Sequence, residues 1–351
     1  MILQTFIPEL AFSSALSDIT LLGVMESITF ELSLKQSDNT YKVILSEPYI
    51  PDNDAMIYII NLQKIIDGYL SDNPVLDFKF SFEPEDGEPT EYLSRIILSR
   101  AELDVDARKF VSQRFMSLLR GNKITRPESL EYLSVYSFFP DTVSISASYR
   151  NNDTGEYEYS VIVGTVTTVN QMTIFDVSPA KYKQEGKTLV KYTVSCGTRQ
   201  TTYLVDNLSA QSPAEILFTN NFGVPETFST SGNLVRERKF ENEYATIKGE
   251  YVKAYNSFHI EHTANTGIMD QHTADWLESD LFSSYSVFLV KDALIWKGIT
   301  IIDLTVKRTS DKSEQPAYEF KYRLKQRNQE VTEFQEYLYR LFDPTFDKTY
   351  N

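Results

Sequence analysis

The residues of this chain best suited to hold a metal ion are His259, Glu261 and His262, three potential ligands within four positions. A zinc site needs three or four His, Cys or carboxylate groups converging on one ion. Along Tyr251 to His262, however, Val252, Ala254, Phe258 and Ile260 alternate with Tyr251, Lys253, Tyr255, His259 and Glu261, which is the period of a strand. On a strand positions 259 and 261 face one way and 262 the other, so the two imidazoles do not converge without a bulge. His272, at the start of a predicted helix, is the remaining histidine that could approach them. The pattern assigns no metal site.

Other chemistries fare no better. Cys196 precedes Gly197 in a predicted turn, and the three histidines that could activate it lie far along the chain at 259, 262 and 272, so it reads as a spectator thiol. Asp153, Thr154, Gly155 and either Asp303 or Asp311 could feed a loop calcium site, but the spacing D-x-[DN]-x-[DN]-G is absent and ordinary turn residues are the simpler reading. No G-x-S-x-G, H-E-x-x-H or phosphate-binding glycine loop occurs. Carboxylates are abundant, yet a glycosidase needs two held about 5 to 9 Å apart, which no spacing in a sequence establishes. The expectation is therefore no catalytic residues, no cofactor, no metal and no enzyme.

The elements that would have to position any site are mostly strands. Ile28 to Lys35 alternates, turns over Gln36 to Thr40 and resumes at Tyr41, predicting a hairpin. Leu62, Ile65, Ile66, Tyr69 and Leu70 form one helical stripe, with Asn61 placed as its N-cap. Asp104 to Gly121 reads as a second helix capped by Asp106, either packed locally or projecting as an arm. Val143 to Tyr149 and Tyr157 to Val163 make the clearest hairpin, joined by Asn151 to Gly155. A third helix carries Met269, Thr273, Leu277 and Leu281, capped by Asp270, and strands return from Tyr285 to Lys325. The expected class is mainly β: tandem antiparallel β-sandwich or barrel domains with a few short capping or connecting helices. The expected divisions are 1–103, an N-terminal sandwich with one helix; 104–127, a helical connector; 128–212, a second β domain; 213–330, a C-terminal β domain with an inserted helix; and 331–351, an extension.

Composition limits the partners. The 351 residues exceed one ordinary core, and 42% hydrophobic residues with 22 Phe and 22 Tyr supply ample packing material. A net charge of −15 disfavours a surface that neutralises phosphates, so nucleic acid is not expected as a partner. No run of about 18 apolar residues is present to span a bilayer, no secretory signal opens the sequence, and one cysteine suits synthesis in a reducing cytoplasm.

Three segments, Glu215 to Phe228 (EILFTNNFGVPETF), Ala264 to Ser284 and more loosely Ile44 to Leu70, resemble tail structural proteins of bacteriophages and prophages of gut Bacteroidetes. The resemblance implies a virion structural role in the tail or its tip, made in the host cytoplasm. It implies homo-oligomers, as a ring around the tail axis, and contacts with other tail proteins, and it transfers no catalytic residue. The alternative is a carbohydrate-binding or host-adhesion module, motivated by Tyr149, Tyr157, Tyr159, Tyr251 and Tyr255, since exposed rings stack on sugars and also enrich protein interfaces.

Overall fold

A computed structural model describes residues 2–208, 214–304, 306 and 315–325, without the side chains of 247 and 254–257. The 331–351 extension and Asp311 lie outside the described residues. The chain is mainly β, in several sheets with a few short helices. It divides into two compact units: Met1–Ser209 with Phe218–Phe228 and Asp270–Ser284, and Ala210–Leu217 with Ser229–Met269 and Tyr285–Asn351.

The first unit holds two sandwiches in tandem. In the first, a five-stranded sheet runs in the order Leu10–Phe12, Thr90–Ile97, Val75–Pro84, Ile28–Lys35, Tyr41–Tyr49, and a three-stranded sheet in the order Ile2–Leu3, Ile19–Leu22, Met56–Ile59. Alternation in these strands sends Phe30, Leu32, Phe78, Phe80 and Phe82 from one sheet and Ile19, Leu21, Ile57 and Ile59 from the other into one core. Helix Leu62–Leu70 adds Leu62, Ile66 and Leu70 to it, three residues of its apolar stripe. Asn61 departs from expectation: it sits at φ +63 with no capping hydrogen bond from its side chain, and its backbone N–H donates to Asp18 Oδ1 instead.

The second sandwich orders its five strands Tyr157–Val166, Thr142–Asn151, Lys187–Cys196, Arg199–Val205, Lys123–Thr125, over a pair formed by Tyr132–Tyr136 and Met172–Asp176. Val135, Val143, Ile145, Ala147, Tyr192, Val194 and Tyr203 meet in its core, where the Tyr192 and Tyr203 rings stack at 4.7 Å. Each five-stranded sheet carries one parallel pair, Leu10–Phe12 with Thr90–Ile97 and Lys123–Thr125 with Arg199–Val205, so the pairing is not wholly antiparallel.

The second helix is shorter than its periodicity predicts, spanning only Ala107–Gln113. Asp106 caps it by accepting from the Lys109 N–H. It ends because Arg114 turns extended and the next two side chains go to different places: Phe115 enters the core of the second sandwich, while Met116 joins Phe12, Phe110, Val111, Tyr136 and Phe222 in a separate apolar cluster. Extended backbone sends successive side chains to opposite sides, which a helix does not. Arg199, buried, fastens the helix end by donating through Nε to the Val111 carbonyl at 2.6 Å. Ala107, Phe110 and Val111 are buried, so this helix packs locally rather than projecting. The basic run after it supplies the short strand Lys123–Thr125.

The second unit orders Val287–Lys291, Leu294–Leu304, Glu319–Leu324, Glu250–Asn265 and Leu234–Ile247 side by side, all antiparallel. Where 285–290, 293–296 and 299–306 are the strands expected, one continuous strand Leu294–Leu304 replaces the last two.

Candidate interaction surfaces

Leu234–Ile247 and Glu250–Asn265 are the longest strands among the described residues, 14 and 16 residues. They pair along their whole length, from Leu234 opposite Ala264 to Ile247 opposite Glu250. Among the described residues only His262 to Asn265 also pair with Glu319–Leu324, and beyond them the described strands form a two-stranded ribbon. At roughly 3.3 Å per residue the eleven positions from Glu237 to Ile247 extend for about 36 Å. Lys248 and Gly249 close it at φ +53 and +84, the two positive values that a hairpin turn matching strand twist requires.

The ribbon has two unlike faces. One bears Arg236, Arg238 and Phe240 opposite His262, Ile260 and Phe258, with the phenylalanine rings 5.9 Å apart and the Arg238 guanidinium 5.0 Å above Phe258. The other bears Lys239 and Glu241 with His259 and Glu261. Glu261 accepts from Arg323 and lies 2.5 Å from Lys239 Nζ; these partners hold its carboxyl down at about 2. Near the tip Tyr244 and Tyr251 stack at 5.0 Å, both exposed.

The histidines singled out in the sequence are therefore drawn into different environments. His259 Nε2 lies 2.7 Å from Arg323 and 3.2 Å from Glu261 in the ionic face. His262 is on the opposite face, stacked on Tyr322 at 5.0 Å, its basicity lowered by burial and by Arg236. His272 is exposed on helix Gln271–Trp276. Among the described residues no three His, Cys, Asp or Glu side chains are grouped to hold a metal. Asp153, Thr154 and Gly155 form a turn in which Asn151 accepts from all three backbone N–H groups, and Asp303 pairs with Lys321. Cys196 is fully buried, and burial raises its thiol. Of the tyrosines, Tyr149 is buried with its hydroxyl donated to the Tyr182 carbonyl, which removes it as a sugar platform, whereas Tyr157, Tyr159 and Tyr251 are exposed. The Tyr255 side chain lies outside those described.

A buried polar cluster in the first unit has no counterpart among those expectations. Lys123 Nζ is 2.6 Å from Glu131 Oε2, which also accepts from the Thr227 hydroxyl at 2.7 Å. The ammonium stands 5.3 Å from the Trp276 ring, and the Trp276 indole N–H donates to Glu226 at 3.0 Å. Burial raises the Glu226 carboxyl, against the pull of Lys123. Asp280, in the single π-helical turn Leu277–Leu281, accepts from the Asn221 backbone and side chain; burial and then the Glu226 charge push it up to about 8. A cavity of about 280 Å³ opens beside this cluster, reached by Lys123, Glu226, Tyr203, Arg114 and Arg120.

No family model matches the chain, and no curated protein matches it. Among solved structures, the crystal structure of Dpr2 Ig1-Ig2 in complex with DIP-Theta Ig1-Ig3 is similar at 7% identity over 94% of this chain and 90% of that one, with a TM-score of 0.19. A Ca2+-stabilized adhesin that helps an Antarctic bacterium bind ice is similar at 10% identity over 74% and 67%, with a TM-score of 0.15. At these TM-scores neither likeness bears on function, and the mainly β class rests on the strand pairings themselves.

Proposed function

We propose that the chain is a structural protein of a bacteriophage tail or tail tip, working by contact with other tail proteins and with copies of itself rather than by catalysis. The observation that carries this reading is the ribbon Leu234–Asn265. A two-stranded hairpin alone in water is at best marginally stable. One that presents Phe240, Phe258, Tyr244 and Tyr251 outside its parent sheet is suited to lying against another protein surface, where those rings lose water. The charged face, fixed by Arg323 and Glu261, sets the root of the arm while the aromatic face is left for the neighbour. The sequence resemblance to phage tail proteins supplies the particle in which such a neighbour would be found.

The test is composition of the particle. Mass spectrometry of purified virions carrying this gene should find the chain in stoichiometric amount with the tail, and its absence would sink the proposal. Replacing Phe240 and Tyr244 by Ser should leave the free protein folded by circular dichroism but abolish its incorporation. Normal incorporation of that variant would remove the ribbon from the account.

A further inference from the structure

We infer that strand Tyr157–Val166 is a self-association seam, at which two copies of the chain join their second-sandwich sheets edge to edge, antiparallel, about a two-fold axis. The inference specifies where copies of the chain meet in the tail reading, and it is tested on the free chain.

The strand is outermost in its five-stranded sheet, with Thr142–Asn151 on one side and no strand on the other among the described residues. Its backbone therefore offers a row of unpaired N–H and C=O groups on that side, a template for another strand. Proteins ordinarily blunt such an edge with charge, proline or brevity. The other long edges here follow that rule: Tyr41–Tyr49 carries Lys42, Glu47 and Pro48, and Leu234–Ile247 carries Arg236, Glu237, Lys239, Glu241 and Glu243. The Tyr157–Val166 edge carries a single charge, Glu158, near its start and ion-paired to Lys187 of the same sheet. From Tyr159 to Phe175 no residue is charged, in a chain of which 24% is.

What the edge presents is apolar as well as open. Tyr157, Tyr159, Val161 and Val163 share one face of the sheet and are 60%, 72%, 70% and 71% exposed. Their neighbours across the pairing are Arg150, Ser148, Ser146 and Ser144, short polar side chains in the main, which leave the apolar row uncovered. A row of this kind loses water only if a further strand brings side chains alongside it.

The occupant follows from charge. Copies carrying −15 each repel one another, and an uncharged stretch is where two such copies approach at least cost. The row is also self-complementary. An antiparallel register centred on Val161 sets Val161 opposite its own copy and Tyr159 opposite Val163, so β-branched and aromatic residues meet on one face, which a two-fold contact requires.

The experiment is native mass by light scattering over a range of protein and salt concentrations, on the full chain and on two variants. The unaltered chain should be a dimer that strengthens as salt screens repulsion. Val161→Lys with Val163→Lys, both at exposed positions, should halve the mass with circular dichroism unchanged. Val161→Cys should give a disulfide-linked dimer on mild oxidation, Cys196 being buried. A monomer at every concentration, an oligomer unaffected by the lysines, or a Val161→Cys chain that does not cross-link would each overturn the seam, and none of them bears on whether the chain is found in virions.

Discussion

Lys123→Met puts the buried cluster to a quantitative test. The Lys123 ammonium and the Glu131 carboxylate are 6% and 2% exposed and 2.6 Å apart, and that carboxylate also accepts from the Thr227 hydroxyl. Methionine fills nearly the same volume, so the expected loss is electrostatic rather than a cavity. Removing one partner of a buried pair leaves an uncompensated charge and costs about 3–5 kcal/mol. For a unit of this size about 1 kcal/mol moves Tm by about 2–4 °C, so the first unfolding transition should fall by about 6–20 °C. Glu131→Leu should be comparably damaging. The double variant Lys123→Met/Glu131→Leu should regain most of the loss, because an apolar pair of similar volume is often neutral relative to a buried ion pair; about 1 kcal/mol should remain lost for the stranded Thr227 hydroxyl. Thermal and denaturant unfolding of the four proteins, followed by near-ultraviolet circular dichroism, measures the cycle. A loss below about 1 kcal/mol for Lys123→Met, the value of a solvated surface pair, would refute the reading of Lys123 and Glu131 as a buried ion pair.

Two further outcomes follow from the same chemistry. Asp280, at about 8 in the folded protein against 3.8 ordinarily, is protonated when folded and ionised when unfolded at neutral pH. Its contribution is therefore fully present below about 3.8 and is lost as pH rises towards 8. Asp280→Asn, which keeps an oxygen for the Asn221 donors, should gain stability relative to the unaltered chain progressively from pH 4 to pH 8, and parallel pH–stability curves would refute it. Glu261 has the opposite sign: held near 2, it supports the ribbon root above its ordinary range near 4.5, and that support fades as pH falls towards 2. The protection of the Arg236 to His262 amides, taken relative to the intrinsic exchange rate at each pH, should fall in acid for the unaltered chain, and Glu261→Gln should show that low protection already at neutral pH.

How much of this was legible in the sequence depends on whether the signal is local. The Ile28–Lys35 hairpin, the Leu62–Leu70 stripe and the Thr142–Val166 hairpin are encoded by neighbours in the chain, and each formed where its period placed it. The strand alternation that separates His259 from His262 is local too, and the structure sets them on opposite faces. The second helix shows where such reasoning stops. Phe110, Val111, Phe115, Leu118 and Leu119 make a continuous apolar stripe, yet Phe115 and Met116 are claimed by two different clusters, which is a fact about distant strands and not about the stripe.

The polar cluster was illegible for the same reason carried further. Lys123 stands in a basic run, Glu131 and Glu226 are single carboxylates at the start of short strands, and Asp280 sits in a segment most of whose other polar residues are at least partly exposed, so each reads as an ordinary surface charge. Their burial arises from the parallel pairing of Lys123–Thr125 with Arg199–Val205, and from contacts made across 96 positions between Glu131 and Thr227 and 50 between Glu226 and Trp276. Only one hint was available beforehand. Lys123 alternates with Thr125 in a three-residue stretch ending before Arg126 and Pro127, and an extended segment of that kind can turn its lysine inwards as readily as a valine, provided a carboxylate waits there. The Tyr157–Val166 edge is the reverse case: the lack of charge from Tyr159 onward is plain in the sequence, but its meaning depends on the strand being outermost, which only the sheet order reveals.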